Sequence, residues 1–351
     1  MSHELDLIVM VENYLAQVSY YNELKFKYGT TTQQTKLCLR IAHRKEHVIL
    51  LTGTPVVNKP TDLWPQICIM GQNGPIAKTF KEFKDNYCDG ANGARNQKAL
   101  QSLLLNHCYF RREKKEVAKD LPAKDRQKML CEITTRTDYQ VAQNNFRSWM
   151  QQHNMDDEAI QRKLRAEILT QMNALRQISA RGKIPAAKEF IDEVMESGEK
   201  LIVFCILTEI VQELKRLYPQ AVTIVGSDSM EQRQRHIDAF QKDQDCKLII
   251  CNIKAAGVGI TLTASSRVLF LEYPWTYADC VQCEDRAHRI GQVWPVMCTY
   301  LLGQNTIDEK LLDIILTKKQ LAQDITGATD EMEMKTVDYL LTSLEDGSLF
   351  E

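Results

Sequence analysis

From about Lys183 to Leu302, short apolar runs rich in β-branched residues alternate with amphipathic stretches. The runs Leu201–Cys205, Val222–Val225, Leu248–Cys251, Val268–Leu271 and Val296–Leu302 show no two-residue alternation, so each predicts a strand covered on both faces. Thr208–Leu217 and Met230–Phe240 fall between them and carry helical spacing. Strands that alternate with helices are joined by crossovers and form a parallel sheet, so the expected fold class is α/β.

Before this stretch, Thr137–Ala180 is almost free of Gly and Pro and rich in Gln, Glu, Arg, Leu and Met, which predicts helices lying outside the sheet. Arg111–Lys128 is strongly basic and contains Leu121-Pro122, so it reads as a connector rather than core. Leu5–Met10 and Val48–Leu51 are apolar strand candidates for a separate, incomplete sheet. Asp308–Gln323 puts Leu311, Leu312, Ile315 and Leu321 on one helical side, and a face of that kind needs a surface to pack against. The expected layout is an incomplete first unit over 1–110, a connector with a helical protrusion over 111–182, the α/β lobe over 183–305, and a brace helix with an acidic tail over 306–351.

Composition adds limits rather than content. The chain of 351 residues is 44% hydrophobic and 26% charged, an ordinary globular balance. It contains no apolar run of about 18 residues, so no membrane span is expected. Met1–Met10 lacks the basic start and long apolar core of a signal peptide. The expectation is therefore a cytoplasmic, nucleoid or nuclear protein that is not secreted, whose eleven cysteines are free thiols. Cys280 and Cys283 form a CxxC, but a zinc site needs a second pair at suitable spacing and none follows, so no metal site is expected. A net charge of −2 neither favours nor excludes nucleic acid, since a DNA-binding protein needs only a basic track on one face.

The strongest chemical signal is Gln282-Cys283-Glu284-Asp285-Arg286-Ala287-His288-Arg289-Ile290-Gly291-Gln292. Arg286 and Arg289, three apart, share a helical face, and Gly291 ends the helix. A guanidinium is permanently charged and presents a planar fork of donors, which suits charge developing on a transferred phosphoryl group. A second signal is Lys254-Ala255-Ala256-Gly257-Val258-Gly259-Ile260-Thr261-Leu262, where Gly257 and Gly259 would let backbone approach a phosphate closely. Glycines in a tight strand–helix turn would produce the same pattern.

Together these segments resemble the Swi/Snf-type ATPases of helicase superfamily two, whose motif VI has the form QxxDRxHRxGQ. Further elements follow in the family's order. Leu51-Thr52-Gly53-Thr54-Pro55, with Asn58, Pro60 and Leu63-Trp64 after it, looks like motif III. Arg111–Val117 and Leu121-Pro122-Ala123-Lys124 resemble the inter-lobe connector, Lys200–Cys205 motif IV, Gly226-Ser227 with Arg233 the next element, and Lys254–Leu262 motif V. The resemblance covers roughly Val48 to Gln323, and Thr336-Val337-Asp338-Tyr339-Leu340 is similar to the HARP-like annealing-helicase branch.

It implies a RecA-like helicase C-terminal lobe preceded by part of a first RecA-like lobe. It also implies ATP hydrolysis with Arg286 and Arg289 as charge stabilisers, nucleotide contacts at Gly257, Gly259, Gln282 and Asp285, and DNA contacts at Ser227, Lys254, Thr261 and Trp275. Thr52, Gly53 and Thr54 would couple the lobes. After Trp275 the family usually has Asn-Pro, where this chain has Thr276-Tyr277.

One requirement is unmet. Phosphate binding needs a GxxxxGK loop ending in Ser or Thr, and the only Gly-Lys pair, Gly182-Lys183, is followed by Ile184 with no Gly five residues earlier. Where an Asp-Glu pair would hold magnesium, the chain reads Val11-Glu12, and a valine cannot bind a cation. Two accounts fit: a fragment whose preceding lobe is absent or separately encoded, or a degenerate product. ATP and Mg2+ are expected only together with a complete first lobe, supplied in cis or trans, and the other expected partner is double-stranded or branched DNA. The function expected is the C-terminal motor portion of an ATP-dependent double-stranded-DNA translocase. The alternative is a non-catalytic DNA- or partner-binding module.

Overall fold

The computed structural model describes residues 8–10, 33–43, 45–51, 60–89, 93–110, 114–152, 158–256, 259–275, 277–313 and 315. The chain divides into two compact units, the first running to Arg112 and the second beginning at Glu113.

In the first unit β1 (Ile8–Met10) and β2 (Ile49–Leu51) pair in parallel, Ile8 opposite Ile49, as the two apolar runs suggested. Helices α1 (Gln33–Ala42), α2 (Leu63–Ile69) and α3 (Phe80–Tyr87), the short antiparallel pair β3 (Cys88–Asp89) and β4 (Gly93–Ala94), and α4 (Gln97–His107) follow. Their core is aromatic: the Trp64 ring lies 5.3 Å from Phe83, and Phe83 lies 5.3 Å from Tyr87.

The second unit is the α/β lobe. Its elements are α5 (Lys114–Val117), β5 (Lys124–Cys131), α6 (Arg136–Gln152), α7 (Glu158–Gly182), α8 (Ile184–Glu196), β6 (Leu201–Cys205), α9 (Thr208–Leu217), β7 (Val222–Ile224), α10 (Met230–Lys242), β8 (Leu248–Asn252), α11 (Ile253–Ala256), β9 (Arg267–Phe270), α12 (Tyr277–Ala287) and β10 (Val296–Gly303). The sheet is parallel throughout, ordered β5-β10-β9-β6-β8-β7. All five strands expected from apolar runs are present, and every residue of β6 is buried. Stacked rings cross the sheet, with Phe204 5.1 Å from Phe270 and Phe270 4.5 Å from Tyr300.

The sixth strand corrects the sequence reading. The end of the basic segment is not a bare connector: Lys124–Cys131 pairs with β10 over its full length, from Lys124 opposite Val296 to Cys131 opposite Gly303. An edge strand needs no apolar residues on both faces, and charge along it discourages pairing with another chain. Its alternating exposure turns Lys124, Arg126 and Lys128 towards acidic partners instead.

Local chemistry sets the helix boundaries. At the start of α10 the Ser229 hydroxyl accepts from the Gln232 amide while Gln232 Oε1 accepts from the Ser229 amide, a reciprocal cap. The start of α9 is capped from afar, because Glu272 Oε2 accepts from the amides of both Ile206 and Leu207 at 2.9 Å. The junction of α7 and α8 is tight: a Cβ on Gly182 would stand 2.3 Å from Thr135 Oγ1 and 2.7 Å from Ile133 Cβ.

Lys183, half of the Gly-Lys pair, is only 1% exposed. Its ammonium meets Asp308 Oδ2 at 2.6 Å and the Leu301 carbonyl at 3.0 Å, so it is a core ion-pair partner. Asp308 Oδ2 also accepts from Ser179 Oγ and the Gly303 amide. A helix over 307–313 follows, and Leu311, Leu312 and Ile315 are fully buried; Leu321 lies outside the described residues.

Candidate nucleotide and nucleic-acid site

A parallel sheet places the ends of all its strands on one edge. Ser227 follows β7, Lys254 follows β8 and Trp275 follows β9, so these three residues share the C-terminal edge. Helix α12 then runs back, and the turn after it reaches the opposite edge, where β9 and β10 begin. Arg286 and Arg289 stand at that far end.

The two arginines converge. Arg286 and Arg289 each donate through NH1 to the carbonyl of Ile260, at 3.3 and 3.2 Å, and Arg286 Nε donates to the Gln282 carbonyl at 3.1 Å. The Leu262 amide donates to the Arg286 carbonyl at 2.8 Å, so the segment after the glycines is tied to α12 through backbone as well. Gln292 locks the following turn. Its amide nitrogen donates to the carbonyls of Ser265 and Ala287, and its oxygen accepts from the amides of Val293 and Trp294. Gly291 takes φ of +101° and Gly259 φ of +74°, values that favour glycine at both turns. Arg289 is exposed and Arg286 half-buried, and the single hydrogen bond that Arg289 makes among the described residues leaves most of its fork for an incoming anion.

Behind the arginines lies a charge network. Glu284 is fully buried and accepts from Arg126 Nε and NH2 at 2.5 and 2.7 Å, from Lys124 at 2.8 Å and from the Tyr300 hydroxyl at 2.8 Å. Asp285 meets Lys114 at 2.9 Å and Lys124 at 3.0 Å. Burial alone would raise both carboxyl pKa values, but the cations reverse its sign: Arg126 and Lys124 hold Glu284 below the ordinary carboxylate range, and Lys124 and Lys114 hold Asp285 below it. His288 accepts from Lys114 at Nδ1 and donates through Nε2 to the Pro122 carbonyl at 2.7 Å, and burial lowers its pKa.

Among the other expected site residues, Thr261 is half-buried, Ser227 and Lys254 are exposed, and the Lys254 amide is held by Asn252 Oδ1 at 3.1 Å. Trp275 is half-buried beneath Arg176, whose guanidinium carbon lies 4.5 Å from the ring centre. Thr52, Gly53, Thr54 and Gly257 lie outside the described residues. Cys280 and Cys283 are buried thiols whose pKa values burial pushes up, which leaves them unreactive.

The chain matches the SNF2-related domain over residues 27–184 and the helicase conserved C-terminal domain over residues 182–291, so the two run on without a gap. The chain belongs to the Swi/Snf family. It is 28% identical over 317 residues to the SWI/SNF-related matrix-associated actin-dependent regulator of chromatin subfamily A-like protein 1 of Drosophila melanogaster, covering 86% of this chain and 40% of that protein. It is 30% identical over 334 residues to the DNA annealing helicase and endonuclease ZRANB3 of Mus musculus, covering 89% of this chain and 30% of that protein. The chain thus spans well under half the length of these relatives. Among solved structures it resembles the Sulfolobus solfataricus SWI2/SNF2 ATPase core in complex with dsDNA, at 25% identity and a TM-score of 0.51, covering 90% of this chain and 69% of that one. The C-terminal part of the Fun30 ATPase domain shares the fold at 20% identity and a TM-score of 0.51, covering 65% of this chain and 99% of that one.

Within this Swi/Snf lobe the sequence reading located the arginines and their turn but missed what holds them. Lys114, Lys124, Arg126 and Tyr300 come from three other elements, and only the acidic pair Glu284-Asp285 inside motif VI signalled that cations had to be near. Arg176 carried no signal, being one of several arginines on a long helix.

Proposed function

We propose that this chain is the C-terminal motor portion of an ATP-dependent double-stranded-DNA translocase of the annealing-helicase branch, acting in the nucleus. The observation that carries the reading is the convergence of Arg286 and Arg289 on the Ile260 carbonyl, at the end of a helix tied by backbone to the motif V segment. Two guanidinium forks fixed side by side match the charge that spreads over a phosphoryl group in transfer. The names of the relatives, a chromatin regulator and a DNA annealing helicase, support both the substrate class and the compartment.

In this reading ATP is the substrate, and its triphosphate is held by a complete first lobe bearing a P-loop. Among the described residues no group of three or more His, Cys, Asp and Glu side chains is set to hold a metal ion, and magnesium would come with that first lobe. Gln282, whose carbonyl takes Arg286, and Gly259, next to the Ile260 carbonyl that takes both arginines, would contact the nucleotide. Asp285 would act on it through the lysines that surround it. Ser227, Lys254, Thr261 and Trp275 would contact the duplex, and Thr52, Gly53 and Thr54 would couple hydrolysis to movement. In this reading the motor lobe comprises strand β5 together with residues 183–305, and the helices between them form the protrusion.

The test joins this chain to a Swi/Snf first lobe that carries an intact GKT loop and acidic pair, fused or in trans. DNA-stimulated hydrolysis should appear. In that enzyme Arg289→Ala should cut turnover on the order of a thousandfold or more, the range of an arginine finger. Nucleotide affinity should change far less, and Arg289→Lys should rescue poorly. Hydrolysis that survives both substitutions would falsify the reading.

A further inference from the structure

Arg176 sits on α7, a long helix that precedes the strands of the motor lobe in the chain. Its guanidinium lies 4.5 Å from the centre of the Trp275 ring and 5.8 Å from that of Tyr273, and it donates through NH2 to the Tyr273 carbonyl. Arginine has five N–H donors in a fixed plane, and stacking occupies the face of that plane rather than its edge. The single hydrogen bond to Tyr273 therefore leaves most of the fork available.

The nearby acids are committed elsewhere. Both amides at the start of α9 hold Glu272, and burial raises its pKa. Asp308 is taken by Lys183, Ser179 and the Gly303 amide. Among the described residues no carboxylate forms an ion pair with Arg176. Arg176 favours the charge of Glu272 only at longer range. A half-buried cation that stacks on an aromatic ring with no carboxylate at ion-pair distance is arranged for an anion from outside. It is also rigidly presented. The same helix ends in the buried Lys183–Asp308 pair, and the Tyr273 hydroxyl donates to the Asp308 carbonyl, so the helix and the strand end are tied at two points.

Position selects the anion. Trp275 follows β9 on the sheet edge that also bears Lys254 after β8 and Ser227 after β7. In open α/β sheets ligands gather at this edge. We propose that Arg176 and Trp275 form one composite element, in which the indole fixes the guanidinium and the guanidinium binds a phosphodiester of duplex DNA. The inference rests on the duplex-DNA reading above.

The experiment measures binding of the full chain to a labelled mixed-sequence duplex by fluorescence anisotropy across a salt series. The proteins are the wild type, Arg176→Gln, Arg176→Lys and Trp275→Phe. Arg176→Gln keeps a donor for the Tyr273 carbonyl but loses the charge, so its plot of log affinity against log salt should flatten by about 0.9, one phosphate contact. Its low-salt affinity should fall on the order of tenfold. Arg176→Lys should restore the slope while recovering only part of the affinity. Trp275→Phe keeps a ring to stack on, so the wild-type slope should survive. A purely structural Arg176 would lower affinity without moving the slope, and lysine would not rescue. If Arg176→Gln proves unstable, Arg176→Lys still decides, because a slope below that of the wild type overturns the phosphate contact. Salt-dependent wild-type binding with an unchanged slope in Arg176→Gln overturns this inference alone. Absence of duplex binding by the wild type overturns it together with the translocase reading.

Discussion

Replacing Glu284 by Gln tests the network behind the arginines, because it keeps shape and removes one charge. Glu284 is fully buried and receives two N–H groups from Arg126, one from Lys124 and the Tyr300 hydroxyl. Breaking a buried ion pair from one side costs about 3–5 kcal/mol, since the surviving charge keeps its desolvation penalty without its partner. Lys124 retains Asp285 at 3.0 Å, and Arg126 loses the charge that its Nε and NH2 both meet. Its side chain is 24% exposed and can recover some hydration, which argues for the lower end, about 3 kcal/mol. For a unit of this size that loss lowers the thermal midpoint by roughly 6–12 °C. Urea unfolding followed by tryptophan fluorescence in a Trp64→Phe background reports on Trp149, Trp275 and Trp294, all in the second unit. The pairing of Arg126 with Glu284 should also emerge as coupling in a double-mutant cycle with Arg126→Leu.

The acid dependence has a defined sign. Burial pushes the Glu284 pKa up and the cations more than offset it, so the folded value lies below the ordinary 4.5. Such a group contributes stability that is fully present above the unfolded value and is lost as pH falls through the folded one. The gap between wild type and Glu284→Gln should therefore be widest above about pH 4.5 and narrow on acidification. A cost below about 1 kcal/mol at neutral pH, or a gap that widens in acid, would refute the reasoning, since it would place the network in the class of solvated surface pairs.

Two further substitutions probe the packing that carries this lobe. Gly182→Ala should cost about 1–3 kcal/mol, because the new methyl meets Thr135 Oγ1 and Ile133 Cβ, and an unchanged melting midpoint would show that the junction of α7 and α8 has slack. Lys183→Met should cost about 3–5 kcal/mol by leaving Asp308 buried without a cation, measured by chemical denaturation, and a neutral result would refute a stabilising role for the pair.

What the sequence disclosed follows from which forces act locally. The inner strands were legible because a strand covered on both faces must be apolar, and β6 and Leu248–Cys251 of β8 read that way residue by residue. Strand β7, expected to be covered likewise, lies at the other edge of the sheet with only Ile224 fully buried. Strand β5 was not, because an edge strand is defined by its neighbour: Lys124, Arg126 and Lys128 look like a connector until β10 pairs with them. The cap of α9 was hidden for the same reason, since its acceptor, Glu272, lies 65 residues from Leu207 along the chain. The arginines were legible as chemistry, but their aim was not, because it depends on the Ile260 carbonyl across a turn.

Asp285 shows how that distinction bears on function. Its place inside motif VI suggested contact with nucleotide, yet its carboxylate lies within 3.0 Å of two lysines from the segment that precedes the lobe's first helical protrusion. A carboxylate aimed at a triphosphate would meet like charge, whereas one held between two ammonium groups is neutralised and leaves Arg286, the next residue, to present positive charge. The acid pair is thus the means by which a helix bearing Arg286, and leading to Arg289, is fastened to strand β5. Lys114 and Lys124 lie on that segment too, so any strain on it reaches α12 through Asp285 and Glu284 before it reaches the core. The order of the motif then has a physical reason: acids on the face of α12 that meets β5, Arg286 in the last turn of that helix and Arg289 on the turn that leaves it.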